Sequence, residues 1–417
     1  MSKEKILIVE DNKALSKLIA KKMELNQNFH IDVAYTLAMA QELLEGGNHY
    51  FVALLDLNLP DAPNGEVVDF MIEKKVPSIV LTGSMDADIR NAILKKNVID
   101  YVYKGNIDDV NYIFSLVERL HKNRGIKILV VDDSMVVRAQ MKELLKEQMF
   151  TVLVAAHGEE ALIFLQDNPD IKLVLTDYIM PVINGLDLTK EIRKLYSKNE
   201  ISIIAMTASS DELAAAQFLK IGANDFVAKP FSKEALTCRI NNSLDTLEYG
   251  SQLKYIAHHD FLTGLYNRRY FFELLKEYTP LAKAKNEFFA LAIIDIDNFK
   301  TINDTYGHDI GDIVLKELAD GLHKNLKKDD IAVRFGGEEF CVVLKNCTQK
   351  SALEFLIKLI KNIEHQKIVL NDGKILHVTV SAGVTFSDSD TLAQMLKQAD
   401  LALYKAKQNG KNRVELA

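Results

Sequence analysis

"KILIVEDN", residues 5–12, returns 122 residues later as "KILVVDDS", residues 127–134. Each is an apolar run that ends in two carboxylates. The echo continues along the chain: "VALLDLNLPDAPNGEVV" (52–68) matches "LVLTDYIMPVINGLDL" (173–188), "IVLTGS" (79–84) matches "IAMTAS" (204–209), and "DYVYKG" (100–105) matches "DFVAKP" (225–230). Between the apolar runs lie helical patterns, "NKALSKLIAKKMEL" and "SMVVRAQMKELLKE". Strands that alternate with helices of this length predict βα units on a doubly wound parallel sheet. The period sets two domains of about 120 residues each, 1–123 and 124–245. From about residue 250 the pattern stops, so a different α/β unit is expected over 260–417, after a helical linker at 246–259.

Bulk properties agree with a multi-domain chain. At 417 residues, two to four domains are expected. The formal net charge of −7 is spread out and offers no basic face for nucleic acid or anionic lipid. Three cysteines, Cys238, Cys341 and Cys347, follow no metal-ligand spacing and suggest reduced thiols. "MSKEKILIVEDN" enters a strand directly, so no signal peptide is expected, and no apolar run has the ~18–20 residues of a membrane span. A cytoplasmic location is the expectation. In "SKEALTCRINNSLDTLEYGSQLKYIAHHD" (232–260), Leu236, Ile240, Leu244 and Leu247 form a helical stripe, while Gly250 weakens an unbroken helix. A core-packed start with an exposed, dimer-forming continuation is expected.

In each repeat acidic residues stand at strand ends, where open α/β sheets place their ligands: Glu10, Asp11 and Asp56, then Asp132, Asp133 and Asp177. Three convergent carboxylates repel one another, and a hard divalent cation such as Mg²⁺ relieves this. Thr82 or Thr207 ends a third strand, and Lys104 or Lys229 a fourth. Together these make a phosphoryl-accepting pocket: an Asp attacks phosphorus, metal and Lys neutralise the transferred oxygens, and Thr senses them. A lone Asp would suggest only a helix cap. The ordered set, twice over, resembles the receiver domains of response regulators, which have a flavodoxin-like fold. The resemblance implies Asp56 and Asp177 as phosphoacceptors, Mg²⁺ (or Mn²⁺) at Asp11 and Asp133, and a sensor histidine kinase or phosphotransfer protein as donor. Tyr101 and Phe226 match the aromatic that moves with the Thr. Lys229–Pro230 matches the family's X–Pro bond, often cis. The first repeat departs, with Lys104–Gly105 and with Gly83 after its Thr.

The third segment poses its own question in "KKDDIAVRFGGEEFCVVL" (327–344), an apolar strand interrupted by Gly336, Gly337, Glu338 and Glu339. Gly–Gly between apolar runs is a hairpin signal. Upstream, "FFALAIIDIDNFKTINDTYGHDIGD" (288–312) carries a second strand ending in Asp295-Ile296-Asp297, so two strands can bring carboxylates to one rim. Such carboxylates hold divalent metal against a triphosphate and help deprotonate a sugar hydroxyl for in-line attack. Paired glycines let backbone approach a bulky ligand.

With "DFLTGLYNRR" (260–269), "SAGVT" (381–385) and "ADLALYKAKQNGKNRV" (399–414) in order, the segment resembles the GGDEF domain of diguanylate cyclases, written here as GGEEF, on a palm-like sheet. The resemblance implies Asp295, Glu339 and the Ile296 carbonyl as metal ligands, and Glu338 as metal ligand or general base. Asn303 and Asp312 would read guanine, whose N1–H and N2–H donate to a carboxylate. Gly336 and Gly337 would leave room for nucleotide, while Lys300, Lys407 and Lys411 would neutralise phosphates, Lys411 standing where Arg is commoner. The family's "RxxD" feedback site for cyclic di-GMP is degenerate here: Asp330 is present, but Lys327 replaces the arginine whose planar fork matches guanine. Weak or absent product inhibition follows. His308 and His323 read as structural or surface groups, and His258-His259 as linker polarity.

The order receiver, receiver, GGDEF resembles diguanylate cyclases of the PleD type. The function implied is phosphorylation-controlled condensation of two GTP into cyclic di-GMP and two pyrophosphates in a homodimer. Two other classes stay open: a catalytically silent GTP- or cyclic di-GMP-binding module, and a phosphate sink built on the receivers.

Overall fold

The computed structural model describes residues 3–83, 93, 96, 98–104, 107–208, 212–370, 375–387 and 391–417. The chain divides into two compact units, Met1–Gly250 and Ser251–Ala417.

The first unit holds both repeats. Strands β1 (Glu4–Val9), β2 (Phe29–Ala34), β3 (Val52–Asp56), β4 (Ser78–Thr82) and β5 (Asp100–Tyr103) pair in the order β2-β1-β3-β4-β5, all parallel. Helices α1 (Lys13–Glu24), α2 (Leu37–Glu45), α3 (Glu66–Glu73) and α4 (Ile107–Asn123) belong to this repeat. The second repeat reproduces the plan. Its strands β6 (Lys127–Val131), β7 (Thr151–Ala155), β8 (Ile171–Asp177), β9 (Ser202–Ala208) and β10 (Asp225–Lys229) run β7-β6-β8-β9-β10, again parallel. Its helices are α5 (Met135–Glu147), α6 (Gly158–Asp167), α7 (Gly185–Leu195), α8 (Glu212–Ile221) and α9 (Lys233–His258). This is the doubly wound, flavodoxin-like order, with the chain reversing direction beside the first strand of each sheet. Sheets covered on both faces need strands apolar on both faces, and β3 and β4 are buried at every residue.

The residue after each acidic pair starts the next helix. The Asn12 side chain accepts from the Ala14 and Leu15 amides, and Ser134 from that of Val137. Strand end and helix start are thereby locked together, and the acids are fixed at the turn. Buried Arg119 of α4 pairs with Asp245 at 2.9 Å and Glu248 at 2.5 Å on α9, and Gln148 Nε2 donates to the Ile99 carbonyl at 3.0 Å. These contacts hold the β5–α4 side of the first repeat against the second repeat.

Helix α9 buries Leu236, Ile240, Leu244 and Leu247 as expected, and leaves Leu253 and Ile256 exposed. It runs through Gly250 without a break. A single glycine costs about 1 kcal/mol in a helix interior, which the packed first turns of α9 outweigh.

The second unit is built on a six-stranded sheet in the order β11-β13-β14-β12-β17-β18: β11 (Tyr266–Asn267), β12 (Phe289–Ile296), β13 (Ile331–Arg334), β14 (Glu339–Lys345), β17 (Val380–Phe386) and β18 (Val414–Leu416). A separate pair, β15 (Ile368–Val369) and β16 (Ile375–Leu376), stands apart from it. The central β12 is antiparallel to both β14 and β17. One face packs on α11 (Phe299–Tyr306), α12 (His308–Asn325) and α13 (Gln349–His365), the other on α10 (Arg268–Ala284) and α14 (Leu392–Gln408). Helix α14 lies so close to β17 that a Cβ on Gly383 would sit 2.1 Å from Ala399 O and Leu403 N. The glycine of "SAGVT" is therefore a packing requirement.

Among the described residues, no helix is long and apolar enough to cross a membrane. The cysteines are free: Cys341 is buried, Cys347 half-buried and Cys238 exposed. His258 and His259 correct the expectation of mere linker polarity. His258 stacks on Tyr270 at 3.8 Å between ring centroids, and His259 on Tyr255 at 4.0 Å, with His259 Nδ1 2.8 Å from Gly264 O. These stacks, all within the second unit, fix the last turn of α9 to the segment that follows it.

Candidate functional site

In the first repeat the parallel strands bring Glu10, Asp56, Thr82 and Lys104 to one sheet edge. Lys104 Nζ lies 2.7 Å from Glu10 Oε2 and 2.5 Å from Asp56 Oδ2. Glu10, Asp56 and Thr82 are buried, while Asp11 is exposed at the mouth. One oxygen from each of Glu10, Asp11 and Asp56 falls within 4.8 Å of the other two. Three hard anionic oxygens at that spacing fit a divalent cation. Burial raises the Glu10 carboxyl above its usual range, opposed by its hydrogen bond to Lys104 and reinforced by the Asp56 charge. A cation there would relieve the same strain.

The second pocket is wired alike. Lys229 Nζ lies 3.0 Å from Asp132 Oδ2 and 2.7 Å from Asp177 Oδ1. Burial works against the Lys229 charge, but hydrogen bonds to Asp177 and Asp132 outweigh it and raise its pKa. Thr207 is buried, Asp133 is exposed, and Arg138 Nη1 donates to the carbonyls of Asp132 and Asp133. Among the described residues, Asp132, Asp133 and Asp177 do not converge as tightly as the first trio. Lys229–Pro230 is cis, as expected. Gly105, the first repeat's departure at this point, lies outside the described residues.

In the second unit the glycine–glutamate interruption takes a definite form. The segment "FGGEEF" is a hairpin turn between β13 and β14, and it delivers Glu339, the first residue of β14, to the place beside Asp295 at the end of β12. The amides of Phe335 and Gly336 both donate to Glu339 O, at 2.7 and 3.1 Å. A Cβ on Gly336 would lie 2.8 Å from Glu339 Oε2, whereas one on Gly337 would meet nothing within 4 Å. Gly336 thus makes room for the glutamate, and Gly337 faces open space.

Asp295 is paired in register with Glu339 on one side and with Ser381 on the other. Its carboxylate is buried and meets Lys407 Nζ of α14 at 2.8 Å. Burial raises the Asp295 pKa against the pull of Lys407; burial and the charge of Asp295 raise that of Glu338. This is an electron-rich corner with one cation already in it, suited to metal and phosphate.

Asn303 on α11 and Asp312 on α12 lie beyond the other end of this strand–helix connection. Asn303 Oδ1 is buried without a hydrogen-bond partner and lies against Gly311, where a Cβ would be 1.9 Å away. Asp312 and Lys300 are exposed. Lys411 Nζ reaches Asn298 Oδ1 at 2.6 Å.

Several residues outside the expected set hold the site together. Asp297 accepts from Thr379 Oγ1 and Ser381 Oγ, both at 2.7 Å, and from the Asn412 amide at 3.0 Å, pinning the loop that carries Lys411. Arg334 Nη2 donates to Gly337 O at 2.8 Å while Nη1 pairs with Asp260 at 3.1 Å. The signal was available in "DFLTG", whose leading acid had no assigned partner. In the degenerate feedback slot both Asp330 oxygens are occupied, by the amides of Lys327 and Lys345, each at 3.0 Å.

The response regulator receiver domain model matches residues 6–112 and 128–241, and the diguanylate cyclase, GGDEF domain model matches 257–413. The chain belongs to the response regulators: two receiver domains precede a GGDEF domain, and its activity is that of a diguanylate cyclase. It is similar to the response regulator PleD of Caulobacter vibrioides, 27% identical over 465 aligned residues that cover 98% of each chain. Diguanylate cyclase A of Treponema denticola is 41% identical over 172 residues, 40% of this chain and 46% of that one. A solved structure provisionally described as a two-component system response regulator/GGDEF domain protein aligns with a TM-score of 0.55 at 41% identity, covering 59% of this chain and all of its own. Receiver domains take phosphate from a donor partner, GGDEF domains use GTP, and both generally use divalent metal ions.

Proposed function

We propose that the chain condenses two GTP into cyclic di-GMP and two pyrophosphates, in a cytoplasmic homodimer whose assembly is biased by phosphorylation of a receiver. Each 3′-hydroxyl attacks the α-phosphorus of the GTP held by the other copy, and each P–O bond to pyrophosphate breaks. The observation that carries this reading is the Asp295–Glu339 register pair with Lys407 at 2.8 Å from Asp295. Asp295, Glu339 and the Ile296 carbonyl would hold Mg²⁺ or Mn²⁺, which supplies charge neutralisation at the phosphates when bound. Glu338 serves as metal ligand or general base. Lys300, Lys407 and Lys411 face phosphate. Asn303 and Asp312 accept from guanine, a role supported by the unpartnered Asn303 oxygen.

In the receivers, Asp56 and Asp177 take the phosphoryl group from a histidine kinase or phosphotransfer protein. Asp11 and Asp133 would hold Mg²⁺, with Glu10 and Asp132 beside them, and Thr82 or Thr207 and Lys104 or Lys229 would engage the phosphoryl oxygens. The domains are taken as 1–123, 124–245 and 260–417, with 246–259 as linker.

The test is product formation from GTP and Mg²⁺, with and without beryllofluoride as a mimic of aspartyl phosphate. Cyclic di-GMP that rises with beryllofluoride supports the reading, and Asp56→Asn against Asp177→Asn identifies the gate. GTP binding without product under either condition overturns it in favour of a silent binding module.

A further inference from the structure

Several helices of the chain start from an asparagine. Asn12, Asn184 and Asn267 do so in the usual way, with extended backbone at φ −72°, −73° and −88° and a side chain that accepts from amides of α1, α7 and α10. Asn298, before α11, does neither. Its φ is +59° and its ψ 29°, and its side chain caps no amide. Asparagine tolerates the left-handed region better than most residues do. The partner its carboxamide takes instead is Lys411, whose Nζ donates to Asn298 Oδ1 at 2.6 Å.

Lys411 is itself left-handed, at φ +63°, as is Asn412 at +48°. Lysine has no special tolerance for that region, so the loop after α14 is held in shape by its surroundings. Lys411 N donates to Ala406 O at 3.0 Å, and the Asn412 amide donates to Asp297 at 3.0 Å. Two neighbouring residues of one loop thus grip two neighbouring residues of the other, Asp297 taking a backbone amide and Asn298 an ammonium.

The second link does not serve the helix. An ammonium at a helix N-terminus lies at the positive end of the dipole. No acidic residue offsets it in the first turn of α11, where Lys300 also stands exposed. The Lys411 charge reaches Asp295, whose pKa it pulls down together with Lys407, against the larger effect of burial. Uncapped amides and two ammonium groups at one spot suit a polyanion.

We propose that Asn298 is a positioning residue of the cyclase, which leaves the start of α11 open and holds the Lys411 ammonium there for the substrate's phosphates. This rests on Lys411 as a phosphate-facing group. A lysine is one movable charge on a four-carbon stem, where an arginine brings a rigid fork. Asn298 supplies from outside the orientation that the lysine lacks. Its carboxamide touches no reacting atom and acts only through Lys411.

The experiment is a double-mutant cycle on the full-length chain. Initial rates of cyclic di-GMP formation are measured against GTP concentration at saturating Mg²⁺ with beryllofluoride present. Asn298→Gly keeps a residue at ease with positive φ and removes the carboxamide. It is expected to raise KM about three- to tenfold with kcat kept within about twofold, and Lys411→Ala to raise KM about tenfold or more. In the Lys411→Ala background Asn298→Gly then adds nothing, because the group it positions is gone. Asn298→Asp, whose side chain also tolerates positive φ, sets a negative charge beside the phosphates and raises KM as well, which keeps the test open should the glycine disturb the loop. An unchanged KM in either Asn298 variant overturns the proposal. So does a full additive effect of Asn298→Gly on Lys411→Ala, the mark of a purely structural role. If Lys411→Ala alone changes neither KM nor kcat, the phosphate-facing reading of Lys411 fails instead.

Discussion

Asp295 and Glu339 face each other across two antiparallel strands, the last-but-one residue of β12 against the first of β14. Two carboxylates so paired, with Glu338 adjacent, repel unless a cation sits among them, and Lys407 supplies only one charge.

Glu339→Gln is therefore expected to lower cyclase turnover by about 100-fold or more, with the fold retained because the amide is isosteric. Steady-state assays of cyclic di-GMP formation, with circular dichroism as the fold check, measure this. Near-wild-type turnover would remove Glu339 from the catalytic set.

The clamp Asp260–Arg334–Gly337 O holds the turn that carries both glutamates. Arg334→Ala should cut kcat about 10–100-fold with little change in KM, since a displaced turn misaligns reacting groups without removing substrate contacts. Burial raises the Asp260 pKa, but its bonds from Thr263 and Arg334 hold it below the usual range overall. Its contribution to stability is complete above the unfolded value of about 3.9 and is lost as pH falls through the folded one. The stability gap between wild type and Asp260→Asn should stay constant from about pH 6 to 8 and close only below about pH 4. A gap that opens in acid would contradict the assignment.

Product feedback should be weak. Lys327 offers one mobile charge where a guanidinium would grip guanine, and Asp330 already accepts two backbone amides. Initial rates with added cyclic di-GMP check this, and a sub-micromolar inhibition constant would refute it.

Val182, exposed in the loop after β8, has a φ of +69°, so Val182→Gly relieves a positive-φ valine, worth about 1–2 kcal/mol, against about 0.5–1 kcal/mol of extra unfolded-state entropy. The net expectation is a gain of about 1 kcal/mol or less, read as a shifted denaturant midpoint. A clear loss of stability would mean the side chain packs inside the receiver after all.

Much of the fold was legible because it is local or repeated. Strands buried on both faces leave continuous apolar runs, and duplication showed which runs mattered. The pockets followed, since strand ends on one edge of a parallel sheet converge by topology. The turn at Gly336 was legible as two competing readings, hairpin or site; the hairpin is there, and it brings Glu339 beside Asp295. What escaped was non-local or fine-grained. The register of Asp295 on Glu339 depends on pairing between strands distant in sequence. The reason for Gly336 is a glutamate three residues on, the histidine stacks need partners from another element, and nothing in the letters "PVIN" reveals a positive φ at Val182.

Gly383 makes the cation at the site depend on a residue that never meets it. With no clearance between β17 and α14, any side chain at 383 would have to lift the helix, and Lys407 stands one turn beyond Leu403 on that helix. A lesion at this apolar strand position would leave every acidic and basic group in place, yet behave in assays like the loss of one of them.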